Sequence, residues 1–136
     1  MDHTRRMRRE HRVRLSWVKK FAVAFRGIYL AVVYERSCWV HLAMTLATVV
    51  AAAILRASFT EWCILGGLVG MVWTAELLNT AIERLTEVVE PREDARIGAV
   101  LDISAGAVLF AAIVAAIIGG AIFLYRLLLL LAILDA

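Results

Sequence analysis

The stretch Trp62-Cys-Ile-Leu-Gly-Gly-Leu-Val-Gly-Met-Val-Trp-Thr-Ala-Glu-Leu-Leu-Asn-Thr-Ala-Ile82 decides the fold. It is about as long as the roughly 20 apolar residues that carry a helix across a bilayer. Yet it holds Glu76 and Asn79, and Glu83 follows directly. A charge at mid-membrane costs about 2.5–3.5 kcal/mol on insertion scales. Positions 76, 79, 80, 83 and 87 recur at helical spacing, so Glu76, Asn79, Thr80, Glu83 and Glu87 share one face. A polar seam turned toward protein is the arrangement that tolerates them. The two residues Gly66 and Gly70 on the same run form a G-x-x-x-G, which permits close helix contact within or between subunits.

Two further runs have spanning length, Trp39–Leu55 and Ile103–Tyr125, the latter followed by Arg126 and an apolar tail. Together the three account for a chain of 136 residues that is 62% hydrophobic and 20% charged, with mean hydropathy +0.80. That composition excludes an ordinary soluble domain, about half of which is apolar, and leaves room for a single membrane domain, 1–136. The N-terminal apolar stretch lacks a small-residue cleavage site, so no secretory signal is expected. Cys38 and Cys63 lie at opposite ends of neighbouring spans and are not expected to pair.

The net charge of +3 is unevenly placed. Ten of the 15 Lys and Arg residues precede position 37, among them Arg5, Arg12, Lys19, Lys20 and Arg26. The first loop holds Arg56, the second Arg84, Arg92 and Arg96, and the tail Arg126. By the positive-inside rule the N-terminus and second loop face the cytoplasm. On a wheel of about 100° per residue, Ser16, Lys19, Lys20 and Arg26 face away from Trp17, Phe21, Phe25 and Ile28. The segment 1–36 therefore reads as a basic arm plus an amphipathic surface helix against anionic lipid headgroups. Nucleic acid is not an expected partner. Glu35 falls on the apolar arc of that wheel and needs a partner, either a cation such as Arg36 or Arg84, or a metal shared with Glu83.

At 1.5 Å per residue, Glu76 lies roughly 9 Å inside the Ile82 end, and Glu83 about 10 Å further along. One carboxylate sits at the depth of lipid hydroxyls and another near phosphates and metal ions. Other polar groups have plainer readings: Asn79 as interhelical glue, Glu87 in a solvated acidic run, Asp102 as an N-cap or first-turn acid, His41 as a satisfied core histidine. No Walker motif is present.

The run Glu76-Leu-Leu-Asn-Thr-Ala-Ile-Glu83, then Asp102-Ile-Ser-Ala-Gly-Ala-Val-Leu109, resembles the signature of the small prokaryotic diacylglycerol kinase and undecaprenol kinase family. Phe25-Arg-Gly-Ile28, Glu35-Arg36, His41 and Glu61-Trp62 stand at matching spacing, and the likeness covers roughly residues 16 to 124. It implies an all-α integral membrane protein of one surface helix and three membrane helices, assembled as a homotrimer with shared active sites. It implies transfer of the ATP γ-phosphoryl group, with Mg²⁺, to a lipid hydroxyl at the inner leaflet of the bacterial cytoplasmic membrane. Glu76 is then the base, Glu35 and Glu83 are metal ligands, and Asn79, Glu83, Glu87 and Asp102 hold the nucleotide.

The chain departs from the pattern where the family usually has Lys, at Gly98 and Leu101. Ser16 and Asp94-Ala95 also replace common family residues. Arg92 and Arg96 are candidates to supply the missing phosphate contacts. Glu35-Arg36 with His41, and Asn79-Thr80 with Ser104-Ala-Gly-Ala107, look closer to the undecaprenol kinase branch than to the diacylglycerol branch. The alternatives are a diacylglycerol kinase, a polyprenyl-phosphate phosphatase or non-catalytic subunit of the same fold, and a channel or transporter subunit using Glu76 as an ion site.

Overall fold

The computed structural model describes residues 17–89 and 94–134. It is all helical: α1 Trp17–Tyr34, α2 Arg36–Ile54, α3 Phe59–Val89 and α4 Ala95–Leu134. Helices α2, α3 and α4 are long and apolar enough to cross a membrane. The expected spans lie within them, apart from Leu55 at the end of α2, and both later helices run on. The 31 residues of α3 rise about 46 Å, well beyond a hydrocarbon core of roughly 30 Å. Glu83 and Glu87 thus continue the span as helix, and Glu87 does not belong to a loop.

Each helix boundary has a local cause. Glu35 separates α1 from α2 in an extended conformation, φ −104° and ψ 123°, with its N–H still bonded to Ala31 O at 2.9 Å. Its position on the α1 wheel therefore has no meaning, because the residue is not part of that helix. Helix α2 ends with Arg56 in the left-handed region, φ 52°. Arg56 N–H donates to Ala53 O and Ala57 N–H to Ala52 O, the pair of bonds that closes a Schellman motif. Glycine ordinarily fills that position.

Helix α3 opens on a capping box, Ser58-Phe-Thr-Glu61. Ser58 N–H and Oγ–H donate to Glu61 Oε2 at 2.6 and 2.7 Å, and Glu61 N–H returns to Ser58 Oγ at 3.4 Å. Helix α4 opens at Asp94, whose Oδ1 accepts the Arg96 N–H at 2.8 Å and whose carbonyl accepts from Gly98 N–H at 3.0 Å. Asp102 consequently stands two turns inside α4 and is neither a cap nor a first-turn acid.

The most extensive packing joins α3 to α4; α2 also packs against α3, and α1 touches both α2 and α3. The apolar residues fully covered by the chain are mostly small: Ala31, Cys38, Ala52, Leu65 and Ala111. Small side chains let helix backbones approach in a medium that offers no hydrophobic drive. Large side chains such as Phe110, Ile117 and Leu128 point outward, as they do where lipid is the solvent. A Cβ added at Gly66 or Gly70 meets nothing within 4 Å, so the G-x-x-x-G face is not used among the described residues of this chain. At Gly119 it would touch Leu65 Cδ2 at 3.6 Å. Cys38 and Cys63 are both free thiols.

Glu61 also fastens α3 to α4, since Arg126 Nε donates to its Oε1 and Oε2 at 2.9 and 2.8 Å. Glu61→Ala removes both the cap and the tie, and Arg126→Ala only the tie. Thermal unfolding in detergent should show a larger loss for Glu61→Ala; equal losses would mean that the cap contributes nothing.

Candidate active site

The polar seam read from the sequence is protein-facing at Glu76, Asn79 and Thr80, while Glu83 is half-buried and Glu87 exposed. Glu76 is 2% exposed, and Asn79 and Thr80 are buried beside it. Helical spacing places all three on one stripe of α3, which α2 and α4 cover from either side.

Toward α4, Ser104 Oγ–H donates to Asn79 Oδ1 at 2.6 Å. Asn79 Nδ2–H donates in turn to Glu83 Oε1 at 2.8 Å. Ser104 is itself buried. The small-residue patch Ser104-Ala-Gly-Ala107 thus admits this contact through its serine. Asn79 is the interhelical link that a buried amide in a span usually is, and it also fixes the orientation of Glu83.

Toward α2, His41 Nε2 lies 3.3 Å from Glu76 Oε2. One turn outward, Trp73 Nε1–H donates to Thr45 Oγ1 at 2.9 Å, and Thr45 Oγ1–H donates to His41 O at 2.7 Å. The His41 and Trp73 rings meet edge to face, centroids 6.5 Å apart. Two turns of α2 are therefore fastened to two turns of α3. Glu76 Oε1 and Thr80 Oγ1 are buried without a hydrogen-bond partner among the described residues. An unsatisfied buried polar atom costs about 1–3 kcal/mol, and such atoms are expected where a ligand completes the set.

Glu35 faces the same seam from the α1–α2 junction. Arg84 Nε–H and Nη2–H donate to its Oε1 at 3.0 and 2.6 Å, the cation partner that the sequence offered as one option. The Arg84 guanidinium also lies over the Tyr34 ring. Among the described residues no three His, Cys, Asp or Glu side chains form a ready metal cage. That is compatible with Mg²⁺ bound together with a nucleotide, which needs only one or two protein carboxylates. Glu35 and Glu83 are hard oxygen donors of that kind, and Arg84 engages only one oxygen of Glu35.

Arg96 pairs with Asp94, Nη2 to Oδ2 at 2.9 Å. The Arg96 side chain and backbone N–H hold the Asp94 carboxyl below the usual carboxylate range. That contribution is present above the ordinary carboxylate range and fades as pH falls through the lowered value. Arg92 and the arm 1–16 lie outside the described residues. Asp102, on α4, is exposed. The part that sequence reasoning missed is the engagement of His41, read there as a core histidine. Its signal was available, since His41 and Thr45 share a face of α2 just as Trp73 and Glu76 share one of α3.

The sequence profile of prokaryotic diacylglycerol kinase matches residues 22–123. An undecaprenol kinase of Bacillus subtilis is 35% identical over 120 residues, 88% of this chain and 98% of its own length. A diacylglycerol kinase of Synechocystis is 32% identical over 105 residues, 76% of this chain but 60% of its own length. No solved structure matches the chain.

If Ser104 and Asn79 are linked as described, a double-mutant cycle of Ser104→Ala and Asn79→Ala should give a coupling of about 0.6–1.7 kcal/mol. Reversible unfolding in mixed micelles measures it, and strict additivity would show that the bond carries no stability.

Proposed function

The chain belongs to the prokaryotic diacylglycerol kinase family, and we propose that it is a membrane lipid kinase transferring the γ-phosphoryl group of ATP to undecaprenol. The observation that carries the reading is Glu76, a buried carboxylate on an apolar helix of spanning length, with one oxygen unpartnered among the described residues. The undecaprenol assignment is supported by likeness to the Bacillus enzyme over nearly all of that enzyme's length.

In the proposed step, Glu76 Oε1 accepts the proton of the lipid hydroxyl. The hydroxyl oxygen forms a bond to the γ-phosphorus, the bond from that phosphorus to the bridging oxygen breaks, and ADP leaves. Positioning and charge neutralisation supply most of the rate in phosphoryl transfer. Mg²⁺, when bound with ATP, would neutralise phosphate charge, held by Glu35 and Glu83. Asn79 orients Glu83 through its amide. Glu87 and Asp102 would contact the nucleotide from α3 and α4. With Leu101 and Gly98 at positions where the family usually has Lys, Arg92 and Arg96 are proposed to meet phosphate, Arg96 by exchanging Asp94 for it.

Helix α1 would lie in the cytoplasmic interface of the bacterial inner membrane, its basic residues toward anionic headgroups and the N-terminus inside. We further propose a homotrimer, in which the uncovered Gly66 and Gly70 face meets another subunit.

The decisive measurement is transfer of labelled phosphate from ATP to undecaprenol or diacylglycerol in micelles. Glu76→Gln should lower kcat by about 10²–10⁴-fold; equal labelling by wild type and variant would remove Glu76 as the base. A double Arg92→Ala, Arg96→Ala variant should raise the KM for ATP, and unchanged kinetics would remove the phosphate role. Hydrolysis of a polyprenyl phosphate without consumption of ATP would favour a phosphatase of the same fold.

A further inference from the structure

A half-buried histidine stands against the Glu76 carboxylate without a part in the transfer step. His41 lies on α2, with its side chain 17% exposed and Nε2 at 3.3 Å from Glu76 Oε2. Its ring packs edge to face against Trp73. Trp73 is fixed in turn by its N–H donated to Thr45 Oγ1. That packing sets the ring independently of any substrate. The two carboxylate oxygens of Glu76 are consequently unequal: Oε2 faces the imidazole, and Oε1 is buried with no hydrogen-bond partner among the described residues.

We propose that His41 is the positioning residue of the transfer reaction: by engaging Oε2 it holds the Glu76 carboxylate turned so that Oε1 meets the lipid hydroxyl. This inference rests on the assignment of Glu76 as base. A general base must present a lone pair within hydrogen-bond reach of the proton it takes, and its rotamer has to be locked by neighbours. A polar nitrogen 3.3 Å from Oε2 fixes which oxygen is left for the substrate. The imidazole is carried on α2 and packed edge to face against Trp73, which the Thr45 bond holds in turn. When Oε1 takes the hydroxyl proton, the charge facing Nε2 falls, and it is restored when the proton leaves for solvent or product.

The other ionisable groups on the elements around Glu76 are Glu35 at the α1–α2 junction and Cys38 on α2. Glu83 and Arg84 stand on α3, Asp102 on α4, and Arg26, Tyr29 and Tyr34 on α1. Glu35 and Arg84 neutralise each other. Cys38 is an uncharged thiol in its ordinary state, and Glu83 is bound to Asn79. His41 is the cationic or donor group seen against Glu76 among the described residues.

The test compares His41→Ala and His41→Gln in the full-length protein in micelles, by kcat and the KM for lipid and ATP. The setting of the Glu76 side chain is read separately, by infrared spectroscopy of its carboxyl band with Glu76→Gln as the reference. His41→Ala should lower kcat at least about tenfold and leave both KM values within about twofold. It should also shift or broaden the Glu76 band, the mark of a carboxyl group no longer held in one setting. His41→Gln, which keeps a donor amide, should recover most of kcat and the wild-type band. The inference is overturned if the Glu76 band is unchanged in His41→Ala. It is also overturned if Ala and Gln variants lose activity equally together with their thermal transition, the mark of a merely structural histidine. A wild-type protein that labels no lipid would instead refute the kinase reading, and the infrared band would still decide what His41 does to Glu76.

Discussion

A carboxylate carried from water into the middle of a bilayer has only three ways to exist: take up a proton, draw water after it, or find partners in protein. Glu76 has a partner in protein, His41, and much of the structure follows from its burial. The side chain is covered by α2 on one side and lies on the stripe that α4 covers on the other. That cover requires the three long helices to stand close together, and the buried apolar residues are accordingly small. The polar contacts that hold the helices in register are spaced along the same seam, Trp73 to Thr45, Glu76 to His41, Asn79 to Ser104 and Glu35 to Arg84. Each also limits where its neighbours can point. A group that is expensive to bury has thus become the reference around which inexpensive groups are arranged.

The spans were legible because membrane-length apolar runs have few rival explanations in water or lipid. The face shared by Glu76, Asn79, Thr80 and Glu83 was legible for a related reason: helical spacing is fixed, and polar residues inside an apolar run mark the side that meets protein. What the chain did not disclose was where regular structure stops. Glu35 was placed on a wheel that ends at Tyr34, and Asp102 was given a helix start that lies at Asp94. Both errors come from boundaries decided by a few local hydrogen bonds, not by a repeating pattern. The Ser58–Glu61 box could have been read from its spacing. The left-handed Arg56 could not, since the position usually belongs to glycine.

The structure places the acids named from the sequence in unequal surroundings. The acids stand on or beside one seam, but their partners divide them. Glu35 is matched with Arg84, Glu83 with Asn79, and Glu76 with His41. Sequence reasoning weighs a residue by its own chemistry, so His41 looked ordinary and Glu76 did not. In the folded chain the two form one unit, and the distinction lies between the two oxygens of a single carboxylate. Such a distinction has no counterpart in composition or spacing.

The ties between α3 and α4 bear on how the protein reaches the membrane. The two helices are joined near one end by Glu61 and Arg126 and deeper in by Asn79 and Ser104, and no other pair packs as extensively. Each of those ties hides a polar group of one helix behind a polar group of the other. A lone α3 leaving the translocation machinery would expose Asn79 to lipid until its partner Ser104 arrived. Entry as a hairpin removes that exposed state from the pathway. The polar ties that join the two helices therefore also favour an order of biogenesis, in which the second half of the chain partitions as a single unit.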